Sequence, residues 1–232
     1  MNTQQEKLLQ QLTETLTELK EEAKQFNTKI SSIEQSIKDL KIEIAKKSST
    51  ESEEKFFIPF LDVLKKWISC EKYEIKFELA TDGMNREKIR EELTNKERVM
   101  ILVQDTNNNI FGCYQKSKTV FDVNENDSYG AYTRANKEDF MVFTLNNSFI
   151  PEPCFTRKKE DGFAIKLYPV ENPTWIFGAH CCFYIGTGDN SFNSPKVKDQ
   201  YDVKNHSENA LFTGSYFPSL FSYSNIIILH WN

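Results

Sequence analysis

The sequence contains no long apolar run and no leader of the secretory type. A membrane-spanning helix needs about 18–20 consecutive, mostly apolar residues, and none of the 232 residues begins such a stretch. The first residues are polar, whereas a signal peptide has a charged segment followed by an apolar one. We therefore expect no membrane insertion and a cytoplasmic protein, with the nucleus as the alternative location.

An excess of positive charge is also missing. The chain has 29 Lys and Arg against 34 Asp and Glu, for a net charge of −5, and the deficit is shared by residues 1–55 and the remainder. Proteins that bind a polyanion neutralise its phosphates with clustered bases. The charge balance therefore argues against nucleic acid as a partner.

Residue patterns that carry known chemistry are scarce. His180, His206 and His230 are too few and too scattered for a metal site, and neither Cys-x-x-Cys nor Gly-x-Ser-x-Gly occurs. Residues 186–190 look like a phosphate loop, but they lack its Lys-Ser/Thr pair and a following helix, so we predict a turn there. Glu160 and Asp161 belong to a charged, solvated loop. We expect no catalytic activity, no metal and no cofactor.

The five cysteines (Cys70, Cys113, Cys154, Cys181 and Cys182) are an odd number at irregular spacing. Inside a cell such cysteines usually serve as small buried hydrophobes. The adjacent pair Cys181 and Cys182 is the exception, because neighbours on a strand point to opposite faces and one of them can meet solvent as a redox-reactive thiol. On that strand His180 would share the face of Cys182 and point away from Cys181.

What the chain does have is an unbroken 3–4 apolar repeat near its start. Eleven successive a and d positions are apolar, without Gly or Pro: Leu9, Leu12, Leu16, Leu19, Ala23, Phe26, Ile30, Ile33, Ile37, Leu40 and Ile44. Such a narrow stripe requires a partner helix wound in a left-handed supercoil. We predict a coiled-coil oligomerisation helix over residues 1–47 and a polar linker over residues 48–55.

The choice of residues favours a parallel homodimer, although it does not fix the orientation of the helices. Ile30 and Ile37 at a, with Leu40 at d, follow the dimer preference, while Phe26 and Ile33 at d depart from it. A trimer is the first alternative. The others are a helix packed on its own chain and a coiled coil with a different protein.

Residues 56–232 are predicted to form one domain. Residues 56–68 form an amphipathic helix with Pro59 in its first turn, and residues 86–95 form a weaker one. The period then changes to two, with strands predicted over residues 99–103, 110–114, 140–145, 163–168, 175–178, 182–185 and 226–229. We predict an α+β fold, in which two antiparallel sheets pack as a β-sandwich around the Phe side chains and short helices flank them.

Several of these strands resemble TLDc domains. Residues 99–105 followed by Phe111-Gly112-Cys113-Tyr114 are similar to a family motif of an apolar strand, an acidic turn and Phe-Gly-x-Tyr. Residues 139–145, 175–179 with 183–185, 190–195 and 226–231 resemble later family segments, so the resemblance covers about residues 73–231. The chain departs from the family at Ala179-His180-Cys181, where glycines are usual, and in the polar insertion over residues 116–135.

The resemblance implies a function as well as a fold. TLDc domains of the oxidation-resistance type are linked to protection against oxidative stress, are not established enzymes, and in several members bind the vacuolar proton pump (V-ATPase). For this chain the resemblance implies a non-catalytic protein-binding module. The expected partners are a second copy of the chain, through the coiled coil, and a protein target such as a V-ATPase subunit.

Two other functions stay open at this stage. A DNA-binding regulator would have to use loops 157–159 or 196–198, because residues 1–8 contain only Lys7 as a base next to the heptads. A thiol-based redox protein would use Cys181 or Cys182, provided that an accessible, electropositive surrounding stabilises the thiolate.

Overall fold

The computed structural model describes residues 15–16, 19–20, 24–25, 29–30, 55–122, 130–145, 154–203, 211–213 and 220–232. The chain divides into two compact units, Met1–Lys55 and Phe56–Asn232.

Apart from Lys55, the described residues of the first unit are all helical. Three of them occupy heptad positions, and in the single chain their side chains are exposed: Leu16 by 55%, Leu19 by 56% and Ile30 by 42%. The remaining heptad residues, namely Leu9, Leu12, Ala23, Phe26, Ile33, Ile37, Leu40 and Ile44, lie outside the described residues, as does linker 48–54. Oligomerisation through this repeat stays a prediction.

Four short α-helices occur among the described residues of the second unit. They are α1 (Leu61–Ile68), α2 (Leu79–Asp82), α3 (Arg86–Leu93) and α4 (Val197–Gln200). A 3-10 turn, Ile58–Phe60, leads into α1 and contains the proline that was expected in its first turn. The side chain of Asn85 accepts a hydrogen bond of 2.9 Å from the Lys88 N–H and so caps α3.

The described residues also form two sheets, in which every strand pair is antiparallel. Sheet A has the order β1-β13-β2-β3-β6-β7. Its strands are β1 (Tyr73–Glu78), β2 (Val99–Asp105), β3 (Ile110–Gln115), β6 (Phe140–Thr144), β7 (Cys154–Thr156) and β13 (Tyr223–Trp231).

Sheet B has the order β12-β11-β10-β9-β8-β5-β4. Its strands are β4 (Phe121–Asp122), β5 (Ala131–Asn136), β8 (Asp161–Leu167), β9 (Trp175–Ala179), β10 (Phe183–Gly186), β11 (Ser191–Asn193) and β12 (Leu220–Phe221). The two antiparallel sheets with their few short helices confirm the predicted sandwich. Sequence reasoning missed β1 and the short strands β4, β7, β11 and β12. It also missed β5, whose Thr and Arg residues belong to the segment interpreted as a polar insertion.

The apolar core lies between the inner faces of the two sheets. Sheet A contributes Phe111, Val142 and Ile228, among others, and sheet B contributes Ile165 and Phe177. Helix α3 adds buried Ile89 and Leu93 to the same core. Its Arg86 donates hydrogen bonds to the carbonyl oxygens of Asn172 at 2.6 Å, Pro169 at 3.1 Å and Trp175, and thereby ties α3 to the β8–β9 connection.

The outer face of sheet A has a second apolar layer, because α1 lies on it. Leu64 of α1 is fully buried in a cluster with Met100, Leu102 and Ile227 from the sheet. The ring centroid of Trp67 lies 5.7 Å from that of Phe143. One face of the amphipathic helix therefore packs against the sheet, as its pattern predicts.

Candidate functional site

The two cysteines singled out in the sequence lie at the turn between β9 and β10. Residues 180–182 form this turn, and Cys181 has a left-handed backbone with φ of 58°. The Cys182 N–H donates to the Ala179 carbonyl oxygen at 2.9 Å, which closes the turn. Cys182 is fully buried in the core, whereas Cys181 is partly exposed, so one of the pair meets solvent.

The turn also brings His180 and Cys181 together. Cys181 Sγ lies 3.2 Å from His180 Nε2. The expectation that His180 would point away from Cys181 is wrong, because it assumed a continuous strand. A left-handed residue reverses the chain direction, so that side chains adjacent in sequence can meet.

The surroundings keep this pair uncharged at neutral pH. Burial raises the pKa of the Cys181 thiol, and nearby Lys196 offsets only part of that effect. Burial lowers the pKa of His180 to about 4, with the positive charges of Arg157 and Lys166 adding to the shift. Burial holds the pKa of Cys182 far above its usual value. A thiolate is the nucleophilic form of cysteine, so the pair has little nucleophilic character at pH 7.

The outer face of sheet B, which we call the open face, is organised differently from the outer face of sheet A. Residues paired directly across antiparallel strands point to the same side of a sheet. The pairings join one row of residues across six strands, which we call the sheet B row: Tyr132, Lys166, Gly178, Tyr184, Phe192 and Leu220. None of these side chains belongs to the apolar core of the described residues.

Aromatic rings dominate the open face and contact one another. The rings of Tyr184 and Phe192 stack with centroids 5.0 Å apart and an interplanar angle of 9°. Trp175 lies edge-on to Phe192 at 5.3 Å. At the other end of the row, Tyr132 and Phe163 have centroids 4.6 Å apart. Each of these rings is partly exposed, and Leu220 at the end of the row is 53% exposed.

Gly178, in the middle of the row, explains why the ring of Tyr184 can lie flat against the sheet. A Cβ atom at this position would lie 2.5 Å from Tyr184 Cδ1 and 2.7 Å from the Phe183 carbonyl oxygen. The glycine therefore leaves the space into which the ring settles.

Lys166 is the charged member of the row, and it is only 8% exposed. Its Nζ lies 4.8 Å from the ring centroid of Tyr132 and 4.5 Å from that of Tyr168. Burial lowers the pKa of Lys166, but the hydroxyls of Tyr132 and Tyr168 outweigh it, so the pKa is raised overall. The ammonium group is charged at neutral pH, and no carboxylate of the described residues forms an ion pair with it.

The other cation on the open face is already neutralised. Arg134 lies over the ring of Phe163, with Cζ 4.8 Å from its centroid. Its guanidinium also pairs with Asp122 at 3.4 Å and with Asp161 at 3.5 Å. Lys166 and Arg134 thus differ in whether a carboxylate accompanies them.

Two pockets among the described residues are lined by side chains outside the sheet B row. One, of about 350 Å³, opens between α1 and strands β6 and β7, with Trp67, Met141 and Cys154 in its lining. The other, of about 380 Å³, is formed by residues 136–139 with Glu160 and Asp161. Glu160 pairs with Lys137 at 3.8 Å. Within the described ranges, no three His, Cys, Asp or Glu residues are placed to hold a metal ion.

Two of the basic residues considered for nucleic acid, Arg157 and Lys158, have contacts within the domain. Arg157 is 2% exposed and donates hydrogen bonds to the carbonyl oxygens of Ala135, at 2.9 Å, and Phe163. Lys158 Nζ donates to the carbonyl oxygen of Lys198, so the two candidate loops lie side by side. The structure uses Arg157 as an internal support for sheet B.

His230 contacts helix α3. His230 Nε2 lies 2.9 Å from the Glu92 carbonyl oxygen and 3.6 Å from its carboxylate, and His206 lies outside the described residues. In the part of the chain that the structure describes, every helix is too short or too polar to cross a bilayer.

The open face was not predicted from the sequence. The Phe side chains were expected to fill the space between the sheets, yet Phe163 and Phe192 lie outside it. The signal that was available is the placement of Tyr, Trp and Lys on strands of sheet B, since these side chains combine an apolar body with a polar tip.

Comparison with known proteins identifies the family. No curated protein matches the chain. The family model described as the TLDc domain matches residues 49–223. The match begins before the residues of the resemblance, so that it takes in α1, and it ends before residues 226–231, which the resemblance had included. The match spans most of the 232 residues and nearly all of the two-sheet unit, so the chain belongs to the TLDc domain family.

Proposed function

We propose that the protein is a non-catalytic interaction module of the TLDc family, of the oxidation-resistance type, which a coiled coil makes dimeric. It acts in the response to oxidative stress or in the regulation of the vacuolar proton pump, in the cytoplasm or the nucleus. The observation that carries this proposal is the open face, where a row of partly exposed aromatic side chains crosses six strands. Family membership supports the same assignment.

An aromatic surface of this kind suits a protein partner. Protein interfaces are enriched in Tyr, Trp and Phe, because these side chains bury a large area and their polar tips tolerate water before binding. Tyr132, Trp175, Tyr184 and Phe192 are all of these types and are partly exposed. A sheet face that only needed solubility would carry charged and small polar residues instead.

The electrostatics of the cysteine turn support a non-catalytic role. Thiol catalysis depends on a stabilised thiolate. Burial raises the pKa of Cys181 and lowers that of its neighbour His180 to about 4. Because the imidazole is neutral, it provides no positive charge to hold a thiolate, and its low basicity makes it a poor acceptor of the thiol proton.

Dimerisation through the heptads would increase the affinity of such a module for a repeated target. Two domains on one rod bind a target with repeated sites by avidity, without any new contact. The exposed Leu16, Leu19 and Ile30 side chains in the single chain are consistent with a surface that a second helix covers.

The oligomer is tested by replacing Ile30 and Ile37 with Lys, which places like charges in two successive a layers of the predicted seam. Each side chain loses about 1.5–3 kcal/mol of apolar burial, so we expect a monomer by light scattering and weaker binding to a repeated target. The matched control replaces Ser32 and Gln35, on the outer face of the same heptad, with Lys, and it should remain a dimer. A wild-type chain that is already monomeric would overturn the dimer.

The partner is tested by titrating the full chain into the purified peripheral sector of the vacuolar proton pump. We expect saturable binding that weakens in the Ile30→Lys/Ile37→Lys chain and persists in the control. Absence of binding by the wild-type chain would refute the proton pump as the target. A gel shift with DNA at physiological salt that resists competitor would instead favour the nucleic-acid function.

A further inference from the structure

We infer that the open face binds a protein segment in which an acidic residue precedes a run of apolar side chains, and that Lys166 receives the carboxylate. This inference rests on the proposed function as an interaction module and names the chemistry of its partner. The row and its one unpaired ammonium group together define the site.

Lys166 carries a charge although it is almost completely buried. An ammonium group withdrawn from water has a substantial desolvation cost unless an opposite charge or good hydrogen bonds compensate it. Lys166 is 8% exposed, yet it has two tyrosine rings and no carboxylate of the described residues beside it. The rings and hydroxyls of Tyr132 and Tyr168 offset this cost and keep the ammonium group charged. A carboxylate that reaches Nζ would therefore meet a fixed positive charge and form a charge-assisted contact with it.

The contrast with Arg134 shows that the missing carboxylate is specific to Lys166. Arg134 is far more exposed, with 55% of its side chain accessible, and it has two carboxylate neighbours, Asp122 and Asp161. On the same face, the exposed cation has two carboxylate neighbours, and the buried cation has none among the described residues. Charge complementarity therefore places an acidic group of the partner at Lys166.

The rest of the row sets what must accompany that acidic group. From Lys166 the row continues through Gly178, Tyr184 and Phe192 to Leu220, all without charge. Adjacent strands lie about 4.8 Å apart, so this apolar part is roughly 19 Å long. A segment with an acidic residue at one end and apolar side chains over that length matches both parts of the row.

A protein segment fits better than a phosphate or an anionic membrane. Phosphate sites gather several donors around one group, whereas a single cation of the row is unpaired here. The net charge of −5 also repels an anionic lipid surface at long range. The flat aromatic row offers area for apolar side chains, which a phosphate does not have.

The test uses two short synthetic peptides that differ in one residue. The first carries Glu before alternating Leu, Phe and Ser, and the second has Gln in place of that Glu. With the full-length chain and labelled peptide, fluorescence anisotropy should show the Gln peptide binding about tenfold more weakly, as expected for loss of a charge-assisted contact. Equal affinity of the two peptides, or no binding of either, would overturn the inference.

Three single-residue variants test whether Lys166 is the residue that contacts the Glu of the peptide. Lys166→Met keeps the stem between the tyrosines and should bind both peptides with the weaker affinity, while Lys166→Arg should restore the preference for Glu. The control is Lys66→Met on α1, an exposed lysine on the opposite side of the sandwich. It should behave as wild type, and all three should keep the wild-type thermal midpoint. A Glu preference that survives in Lys166→Met would contradict the assignment.

Two further binding measurements distinguish a protein segment from a lipid surface and from a second copy of the chain. Phosphatidylserine vesicles that bind through Lys166 when the peptides do not would identify a lipid site, and a Lys166-dependent association of the Ile30→Lys/Ile37→Lys chain would identify a second copy. Either result overturns the inference. If wild type binds the pump sector and Lys166→Met binds it equally, the inference fails and the proposed function stands. If the Glu peptide binds and the pump sector does not, the inference stands and the proton pump fails as the target.

Discussion

The two sheets of this domain resemble each other on their inner faces and differ on their outer faces. Sheet A is covered by α1, with Leu64 packed on Met100, Leu102 and Ile227. Sheet B has no covering element among the described residues, and its outer face bears Tyr, Trp, Phe and Lys side chains that contact one another. Among the described residues, one outer face is thus buried beneath a helix and the other presents its aromatic side chains in a partly exposed row.

Each outer face contains a glycine beneath an aromatic ring, and this pair gives the largest expected effect. A Cβ at Gly112 of sheet A would lie 2.0 Å from the Ile101 carbonyl oxygen and 2.9 Å from the Phe143 ring. At Gly178 of sheet B a Cβ would lie 2.5 Å from the partly exposed ring of Tyr184 and 2.7 Å from the Phe183 carbonyl oxygen. The backbone contact is therefore less severe at Gly178 than at Gly112, and the ring at Gly178 is the more exposed one. Urea unfolding should show a loss of about 3 kcal/mol or more for Gly112→Ala and about 1–2 kcal/mol for Gly178→Ala. Equal losses would contradict the distinction between the faces.

Truncation of one side chain on each face gives the next effect. Leu64→Ala removes a fully buried side chain and should cost about 2–4 kcal/mol of unfolding free energy. Phe192→Ala removes a partly exposed ring and should cost about 1 kcal/mol, chiefly from its stacking on Tyr184. Denaturant titrations of both variants provide the comparison. A Phe192→Ala loss as large as that of Leu64→Ala would mean that the open face is part of the core.

His180 makes the open face sensitive to acid, with a smaller effect. Its ring packs edge-on to Tyr132 at 5.3 Å and Phe163 at 5.5 Å, and burial lowers its pKa to about 4. Because the folded-state pKa is below the unfolded value near 6.5, the stabilisation is complete above that pH and is lost as the pH falls towards 4.

The measurement compares unfolding free energies of the wild type and of His180→Gln between about pH 7 and pH 4.5. We expect the wild type to lose on the order of 2 kcal/mol more than the variant over this range. A parallel fall of wild type and His180→Gln would show that His180 is already charged in the folded protein.

The thiols give the smallest expected effect, since Cys181 should react no faster than a free thiol. Burial raises its pKa, and the pKa of Cys154 is raised to about 11. Timed alkylation with iodoacetamide, followed by mass spectrometry, should modify Cys181 at a rate not above that of glutathione, and buried Cys113 and Cys182 only after unfolding. Modification of Cys181 about tenfold faster than glutathione would favour the redox function over a binding module.

Sequence patterns predicted the sandwich because its central strands are apolar on both sides. Strands β2 and β3 stand out in this way, and the turn between them is held by Asp105, whose carboxylate accepts from the N–H groups of Asn107 and Asn109, each at 2.8 Å. Gly112 in the Phe-Gly-x-Tyr motif is explained by its close approach to Ile101. Strand β5 was missed, because one side of it faces outwards and carries polar residues.

The open face could not be predicted because it depends on long-range register. Tyr132, Lys166 and Phe192 lie far apart in the sequence, and only the pairing of β5, β8, β10 and β11 places them on one side of sheet B. A bulge between β5 and β8 also turns Phe163 outwards, which strict alternation with Ile165 would have placed in the core. The contact between His180 and Cys181 likewise depends on the left-handed backbone at Cys181.

The central claim is that the domain binds its partner through the outer face of sheet B. The most direct test is amide hydrogen–deuterium exchange of the full chain, alone and bound to the purified peripheral sector of the vacuolar proton pump. The account predicts added protection in β5, β8, β10 and β11, around Lys166 and Tyr184, with little change in α1. Protection confined to α1 and the strands of sheet A, with sheet B unchanged, would contradict it.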